Sequence, residues 1–184
     1  MPQDSQNATK PTDEEIGVVK KTPHVAHNSG NNEWYTPAEY IEAARAVMGE
    51  IDLDPASSEI ANTVVGATRF YDIENDGLRQ TWKGKVWLNP PYATGLIGKF
   101  IDKLLASSQV TEAIVLVNNA TETQWFQTLA KAAWAVCFPS SRIKFWHPDK
   151  KESKPLQGQA ILYIGVNSEK FMQEFSEIGA VWQK

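Results

Sequence analysis

The sequence predicts an α/β fold in which an open, mostly parallel sheet is flanked by helices. Three observations predict it. Ala113-Ile114-Val115-Leu116-Val117 is an unbroken apolar run, the pattern of a central parallel strand covered on both faces. Short apolar strand candidates alternate along the chain with stretches of helical periodicity. The first two strand candidates stop abruptly at Asp54-Pro55 and Asn89-Pro90-Pro91, since proline removes a ladder donor and fixes φ.

Each element follows in order. Residues 1–31 are polar, rich in Asp, Asn, Lys, Ser and Pro. They cannot bury enough apolar surface to offset their ordering entropy and are expected to be a disordered lead-in to one domain over 32–184. Thr36-Pro37-Ala38-Glu39 reads as a capping box with Thr36 at the N-cap. Ile41, Ala44, Val47 and Met48 fall on one helical face, and Gly49 stops the helix. Ile51-Asp52-Leu53-Asp54 is a short strand, followed by a loop-rich stretch to Gln80 with one short helix near 57–64. Lys85-Val86-Trp87-Leu88 is a second buried strand, and Leu96, Ile97, Phe100, Ile101, Leu104 and Leu105 recur at helical spacing. After the 113–117 strand, Thr121 is the expected cap of a helix carrying Trp125, Phe126 and Leu129. Strands are expected over 134–138, 142–146 and 159–165. Ser168 opens a last helix, Gly179 ends it, and Ala180-Val181-Trp182 is a terminal strand.

Composition narrows the function. The chain has 184 residues, 42% hydrophobic and 22% charged, which suits a globular protein with one substantial core. No apolar run is long enough to span a bilayer. The N-terminal residues lack the apolar core of a signal peptide, so a cytoplasmic location is expected. Cys137, the single cysteine, lies in an apolar run and reads as a small buried residue. His24, His27 and His147 are scattered, so no metal site is expected. The net charge of −4 speaks against a protein that coats nucleic acid non-specifically, though one basic face remains compatible with it.

In open α/β sheets ligands bind beyond the C-terminal ends of the strands. That rule selects Asp54-Pro55, Asn89-Pro90-Pro91-Tyr92 and Asn118-Asn119. The Asn89 loop has a chemistry of its own. Its two prolines stiffen it, so the Asn89 side-chain carbonyl and the Pro90 backbone carbonyl can be held as converging acceptors. Such a pair suits a planar NH₂ group. Holding both hydrogens out of the ring plane localises the nitrogen lone pair and stabilises positive charge as a methyl group arrives. Tyr92 offers a face on which a base can stack, worth about 1–3 kcal/mol. A rigid turn with a surface tyrosine is the bland alternative.

Asn-Pro-Pro-Tyr after a buried strand resembles the catalytic motif of methyltransferases that act on adenine N6, cytosine N4 or, in some branches, protein glutamine. Its neighbours narrow the match. Glu33-Trp34-Tyr35-Thr36-Pro37, Leu53-Asp54-Pro55-Ala56, Asp76-Gly77-Leu78, Trp82-Lys83-Gly84 and Val86-Trp87-Leu88-Asn89-Pro90-Pro91-Tyr92 come in the order seen in the small phage-type DNA N6-adenine methyltransferases. The likeness covers roughly 32 to 182.

The resemblance implies a Rossmann-like methyltransferase fold with an antiparallel C-terminal part, and S-adenosyl-L-methionine as methyl donor. Asn89, Pro90, Pro91 and Tyr92 would form the catalytic loop. Tyr35-Thr36-Pro37, with Trp34, matches the segment that packs against the donor's methionine moiety, and the helix opening there can receive its carboxylate. Asp54, with Pro55, would meet the donor's amino or ribose groups. Asp76 would accept from its adenine amine, or cap the turn before Gly77. The sequence departs from the family at Ala56-Ser57-Ser58, where glycines are usual, and lacks a G-x-G-x-x-G fingerprint.

Double-stranded DNA is the expected substrate, with no membrane partner; a phage-encoded chain would work in the host cytoplasm. A stacked target adenine must be flipped out, and loops are expected to read a short or lax target sequence. Arg142, Lys144, Lys150, Lys151 and Lys154 stand against Asp149 and Glu152, giving the 142–154 segment a net charge of +3 in an acidic chain. Arg142, Lys144, Lys150 and Lys151 are the expected phosphate contacts, a solvated loop being the alternative. Cytosine N4, RNA or protein glutamine also suit the amine-binding loop, and a non-catalytic binding module on the same scaffold is the reading from another class.

Overall fold

The computed structural model describes residues 34–93, 95–148 and 157–184. The expected disorder of 1–31 and the basic residues Lys150, Lys151 and Lys154 lie outside them.

Helix α1 (Ala38–Met48) is followed by strand β1 (Leu53–Asp54), helix α2 (Glu59–Val65) and strand β2 (Arg69–Phe70). A 3₁₀ turn (Gly77–Arg79) leads into β3 (Gly84–Leu88), α3 (Leu96–Ala106), β4 (Val110–Asn118) and α4 (Gln124–Ala132). The chain closes with β5 (Ala135–Pro139), β6 (Gln159–Ile164), α5 (Ser168–Phe175) and β7 (Gly179–Gln183). The seven strands form one sheet in the order β2-β1-β3-β4-β6-β5-β7. β2, β1, β3 and β4 are parallel, whereas β4–β6, β6–β5 and β5–β7 are antiparallel. The α/β class, the parallel first part and the antiparallel C-terminal part are as expected from the sequence.

β4 shows why the sheet must be covered twice. Ala113, Val115 and Val117 pack with α3 and α4 through Phe100, Ile101 and Leu129. Ile114 and Leu116 pack with α1 and α5 through Ile41, Ala44, Phe171 and Phe175. Side chains alternate faces along a strand, so an unbroken apolar run needs both layers. All five residues are fully buried.

Four elements differ from expectation. Residues 142–146 form no strand: β6 already pairs with β4 and β5, leaving no central edge. The segment instead makes one antiparallel bridge, Trp146 to Tyr35. Thr36 is not the N-cap of α1; Pro37 holds that position without a side-chain cap bond. The cap of α4 is Thr123, whose hydroxyl accepts from the Phe126 N–H, rather than Thr121. Gly179 opens β7, where a Cβ would lie 2.1 Å from the Phe138 carbonyl oxygen, and α5 has already ended at Phe175. A fifth difference is β2, which lies in the stretch expected to be loop and is too short for a period-two pattern to reveal it.

The topology positions the site. β1, β3, β4 and β5 run the same way, so their C-terminal ends share one edge of the sheet. The start of β6 lies there too, since Gln159 pairs with Asn118.

Candidate active site

β3 buries Val86, Trp87 and Leu88 and then meets Pro90-Pro91, which cannot continue a ladder. The chain turns outward at Asn89, and Pro90 stays buried. The Asn89 side chain is held from two directions. Its amide nitrogen donates to the Thr36 hydroxyl at 3.4 Å, and its amide oxygen faces the Tyr92 hydroxyl at 3.5 Å. The same hydroxyl lies 3.4 Å from the Leu116 carbonyl oxygen, at the end of β4. These are long contacts, each at the weak limit of a hydrogen bond. Together they turn the amide oxygen, an acceptor, away from Thr36. Among the described residues, the Pro90 carbonyl accepts no backbone hydrogen bond.

Tyr92 is 42% exposed as a residue, yet burial raises the pKa of its hydroxyl. The two fit one geometry: the hydroxyl is tucked against the strand ends, and the exposure belongs to the remainder of the side chain. A neutral phenol with a partly open ring is a platform for stacking rather than a general base.

The segment before α1 is clamped to the residues that follow Arg142. Tyr35 and Trp146 exchange backbone hydrogen bonds of 2.9 Å in both directions, and their rings lie 5.0 Å apart. The Trp146 indole N–H donates to the Thr36 carbonyl at 3.2 Å. Trp34 meets His147 edge-on at 5.4 Å. Tyr35 and Thr36 are buried and Pro37 is half-buried. The Thr36 hydroxyl, expected to cap the helix, is thus turned toward Asn89.

On the other flank, Leu53 pairs with Val86, so Asp54 lies alongside Trp87, two residues before Asn89. Asp54 is 3% exposed. Burial, the largest influence, pushes its carboxyl up to about 7, against the opposing pull of Ser57 and of the Ala56 N–H, which donates at 3.2 Å. The Ser57 Oγ is itself buried beside Asp54 and has no hydrogen-bond partner among the described residues. Asp54 is therefore not part of a solvated turn.

Pro55 is buried beneath Gly77: a Cβ there would lie 2.0 Å from the Pro55 carbonyl oxygen. Only glycine fits so close an approach of two backbones. The buried Trp82 indole N–H donates to the Gly77 carbonyl at 2.7 Å and fixes the other side of the turn. Asp76 adopts the capping role of its two expected roles. One carboxylate oxygen accepts from the Leu78 N–H at 3.2 Å, and the other pairs with Arg79 at 3.1 Å.

Arg142 and Lys144 are exposed, on either side of buried Ile143. The Ile143 N–H donates to the Gln159 side chain at 3.4 Å, so alternation persists here without a strand. Beside Arg142 opens a cleft of about 420 Å³ lined by Asn119, Phe138, Ser140, Ser141 and Gln159. Of these, only Asn119 lay at a strand end marked in the sequence; the serines carry no signal of their own. No group of three or more His, Cys, Asp or Glu among the described residues is placed to hold a metal. Nor is any helix among them long and apolar enough to cross a membrane.

The edge therefore carries three neighbouring features: the Asp54 flank, the Thr36–Asn89–Tyr92 cluster, and the Arg142 cleft. A family model described as DNA N-6-adenine-methyltransferase (Dam) matches residues 24–183. No curated protein matches the chain.

Proposed function

We propose, from the premise that this chain belongs to the DNA N-6-adenine-methyltransferase (Dam) family, that it transfers a methyl group from S-adenosyl-L-methionine to adenine N6 in double-stranded DNA. The observation that carries the reading is the Asn89 amide. Its nitrogen is committed to Thr36, so its oxygen is the group offered at the end of β3, next to the stiff Pro90-Pro91 turn.

The residues suit the donor on one structural count. Asp54 is a buried carboxyl at a strand end, beside a buried Ser57 hydroxyl that has no hydrogen-bond partner among the described residues. Unmet polar capacity of this kind calls for a ligand rich in donors, as the amino and ribose groups of S-adenosyl-L-methionine are. Ala56 and Ser57 are small enough to stand where family members carry glycines. In this reading Asp54 and Pro55 meet the donor on the β1 flank, and Trp34, Tyr35, Thr36 and Pro37 wall its methionine end. Asp76 contributes by holding the Gly77 turn against Pro55. When bound, the donor supplies an electrophilic methyl group on a sulfonium.

The chain's own residues do the rest. The Asn89 oxygen and the Pro90 carbonyl accept the two N–H bonds of the adenine amine. That draws the nitrogen lone pair out of conjugation and aligns it for attack. As the new C–N bond forms and the sulfur–methyl bond breaks, with S-adenosylhomocysteine as the leaving group, the amine would gain positive charge, which the two acceptors stabilise. The nitrogen then releases one proton to solvent, so no strong base is needed. Tyr92 stacks on the base once it has left the duplex.

Incubating the protein with labelled S-adenosyl-L-methionine and duplex DNA, followed by mass spectrometry of the nucleosides, tests this directly. N6-methyladenine is the expected product. Label on cytosine N4, on RNA alone or on protein glutamine would replace the adenine reading with one of those acceptors. DNA binding with no calorimetric response to S-adenosylhomocysteine would mark a non-catalytic module.

A further inference from the structure

The Arg142 cleft is not needed for holding an amine or a methyl donor. It lies at the same sheet edge as Asn89, on the opposite side from Asp54. Asn119, which lines it, directly follows β4, whose Leu116 carbonyl meets the Tyr92 hydroxyl. Its position is thus fixed relative to the catalytic loop by β4, whose residues Ala113 to Val117 are fully buried.

Its chemistry is one-sided. Among the described residues the lining includes one cation, Arg142, the Ser141 hydroxyl, the Ser140 hydroxyl, which donates to the Ile178 carbonyl at 3.1 Å, and the amides of Asn119 and Gln159, but no carboxylate. The chain as a whole carries −4. Among the described residues no carboxylate pairs with Arg142. Gly158 keeps the floor open: a Cβ there would lie 2.8 Å from the Asn119 amide nitrogen. Gln159 is the rigid part, its amide nitrogen donating to Asn118 at 3.3 Å and to the Gln157 carbonyl at 2.8 Å. The Phe138 wall supplies a non-polar surface. A cation, the Ser141 hydroxyl as a donor and one apolar wall match a phosphodiester with its sugar. The volume lies in the range of ligand pockets, roughly 300–1,000 Å³.

We propose that this cleft holds the phosphodiester and sugar of a nucleotide neighbouring the target base, with Arg142 as its phosphate ligand. The inference rests on the reading of the chain as a DNA methyltransferase and adds where the strand backbone is gripped. A grip on that side places the methyl acceptor between the cleft and the donor flank, so that Tyr92 meets the extruded base.

The test compares the full-length protein with its Arg142→Ala, Arg142→Lys and Lys170→Ala variants on duplex DNA. Lys170, on α5, lies away from this edge and controls for net charge. Arg142→Ala should weaken DNA binding about tenfold at fixed salt and flatten the log–log salt dependence by roughly 0.9, the loss of one phosphate contact. Arg142→Lys should fall between, and Lys170→Ala should match the parent. Affinity for S-adenosylhomocysteine should be the same in all four. Neutral methylphosphonates placed one at a time around the target then locate the contact. One position should weaken the parent protein and leave Arg142→Ala indifferent. Equal salt slopes for parent and Arg142→Ala, or methylphosphonate effects identical in both, would overturn the proposal. Absence of DNA methylation by the parent protein would instead remove the functional reading on which it stands.

Discussion

The Asn89 amide nitrogen donates to the Thr36 hydroxyl across 3.4 Å, linking positions 53 residues apart in the chain. The contact decides which end of the amide faces outward, and only the oxygen end can accept from an amine. Thr36→Val should lower kcat by about two- to fivefold, the scale of a hydrogen bond worth roughly 0.5–1 kcal/mol. Thr36→Ser should restore it. Asn89→Ala should abolish turnover while S-adenosylhomocysteine still binds. Methylation persisting in Asn89→Ala would remove the amide from the chemistry.

Tyr92 separates two roles within one side chain, a buried hydroxyl and an accessible ring. Tyr92→Phe keeps the face and loses the anchor to Leu116. Tyr92→Ala loses both, including stacking worth roughly 1–3 kcal/mol, or about five- to 150-fold in kcat/KM for DNA. The phenylalanine variant should therefore lie much nearer the parent. Equal losses in the two would show that the hydroxyl, not the face, carries the effect.

Asp54 sets a pH dependence whose sign follows from its burial. Its carboxyl titrates at about 7 in the folded chain against an ordinary 3.8. The unfolded chain thus releases this proton first as pH rises. Stability attributable to the group is full below about pH 4, declines between about 4 and 7, and is lost above, by at most a few kcal/mol. Urea titrations of Asp54→Asn should lack that decline. A donor that hydrogen-bonds to Asp54 favours the carboxylate, so its affinity should rise through pH 7 and level off above. Donor affinity independent of pH between 5.5 and 8.5 would detach Asp54 from the donor.

Gly77 is held to its identity by the Pro55 carbonyl oxygen, 2.0 Å from where a Cβ would sit. Gly77→Ala must push two backbones apart, a cost of about 1–3 kcal/mol for overpacking. The displaced segment carries Asp54. Thermal melts should show a lowered Tm and calorimetry a weakened donor, with both effects in the same variant. A variant that melts like the parent would contradict this packing.

Much of the scaffold was readable from periodicity alone. The 113–117 run became β4, Leu96 to Leu104 became the apolar stripe of α3, and Asn89 fell at a strand end as its prolines require. What escaped were features decided by residues distant in sequence. The hydroxyl of Thr36 forms a sound local capping pattern, but Asn89 takes it instead. Residues 142–146 have strand-like alternation, but the neighbouring strands leave no edge to pair with. The burial of Asp54 carries no local signal, because β2, the two-residue strand that pairs with it, lies beyond α2 in the chain. Lines of tertiary contact, rather than weak local propensity, explain each case.

The two ends of the functional edge rest on unequal supports. The Asp54 flank hangs on β1 and β2, two residues each, with β2 outermost. The cleft flank is built on β4 and β6, nine and six residues long and paired across six positions. Amide hydrogen exchange would therefore run through a steep gradient across one sheet, fastest at Arg69 and Phe70 and slowest in β4. A ligand seated on the weaker flank adds its binding free energy to the closing of that flank. Occupancy by the donor would then set the order of events, firming the soft end of the sheet while the strand that anchors Tyr92 stays as it was.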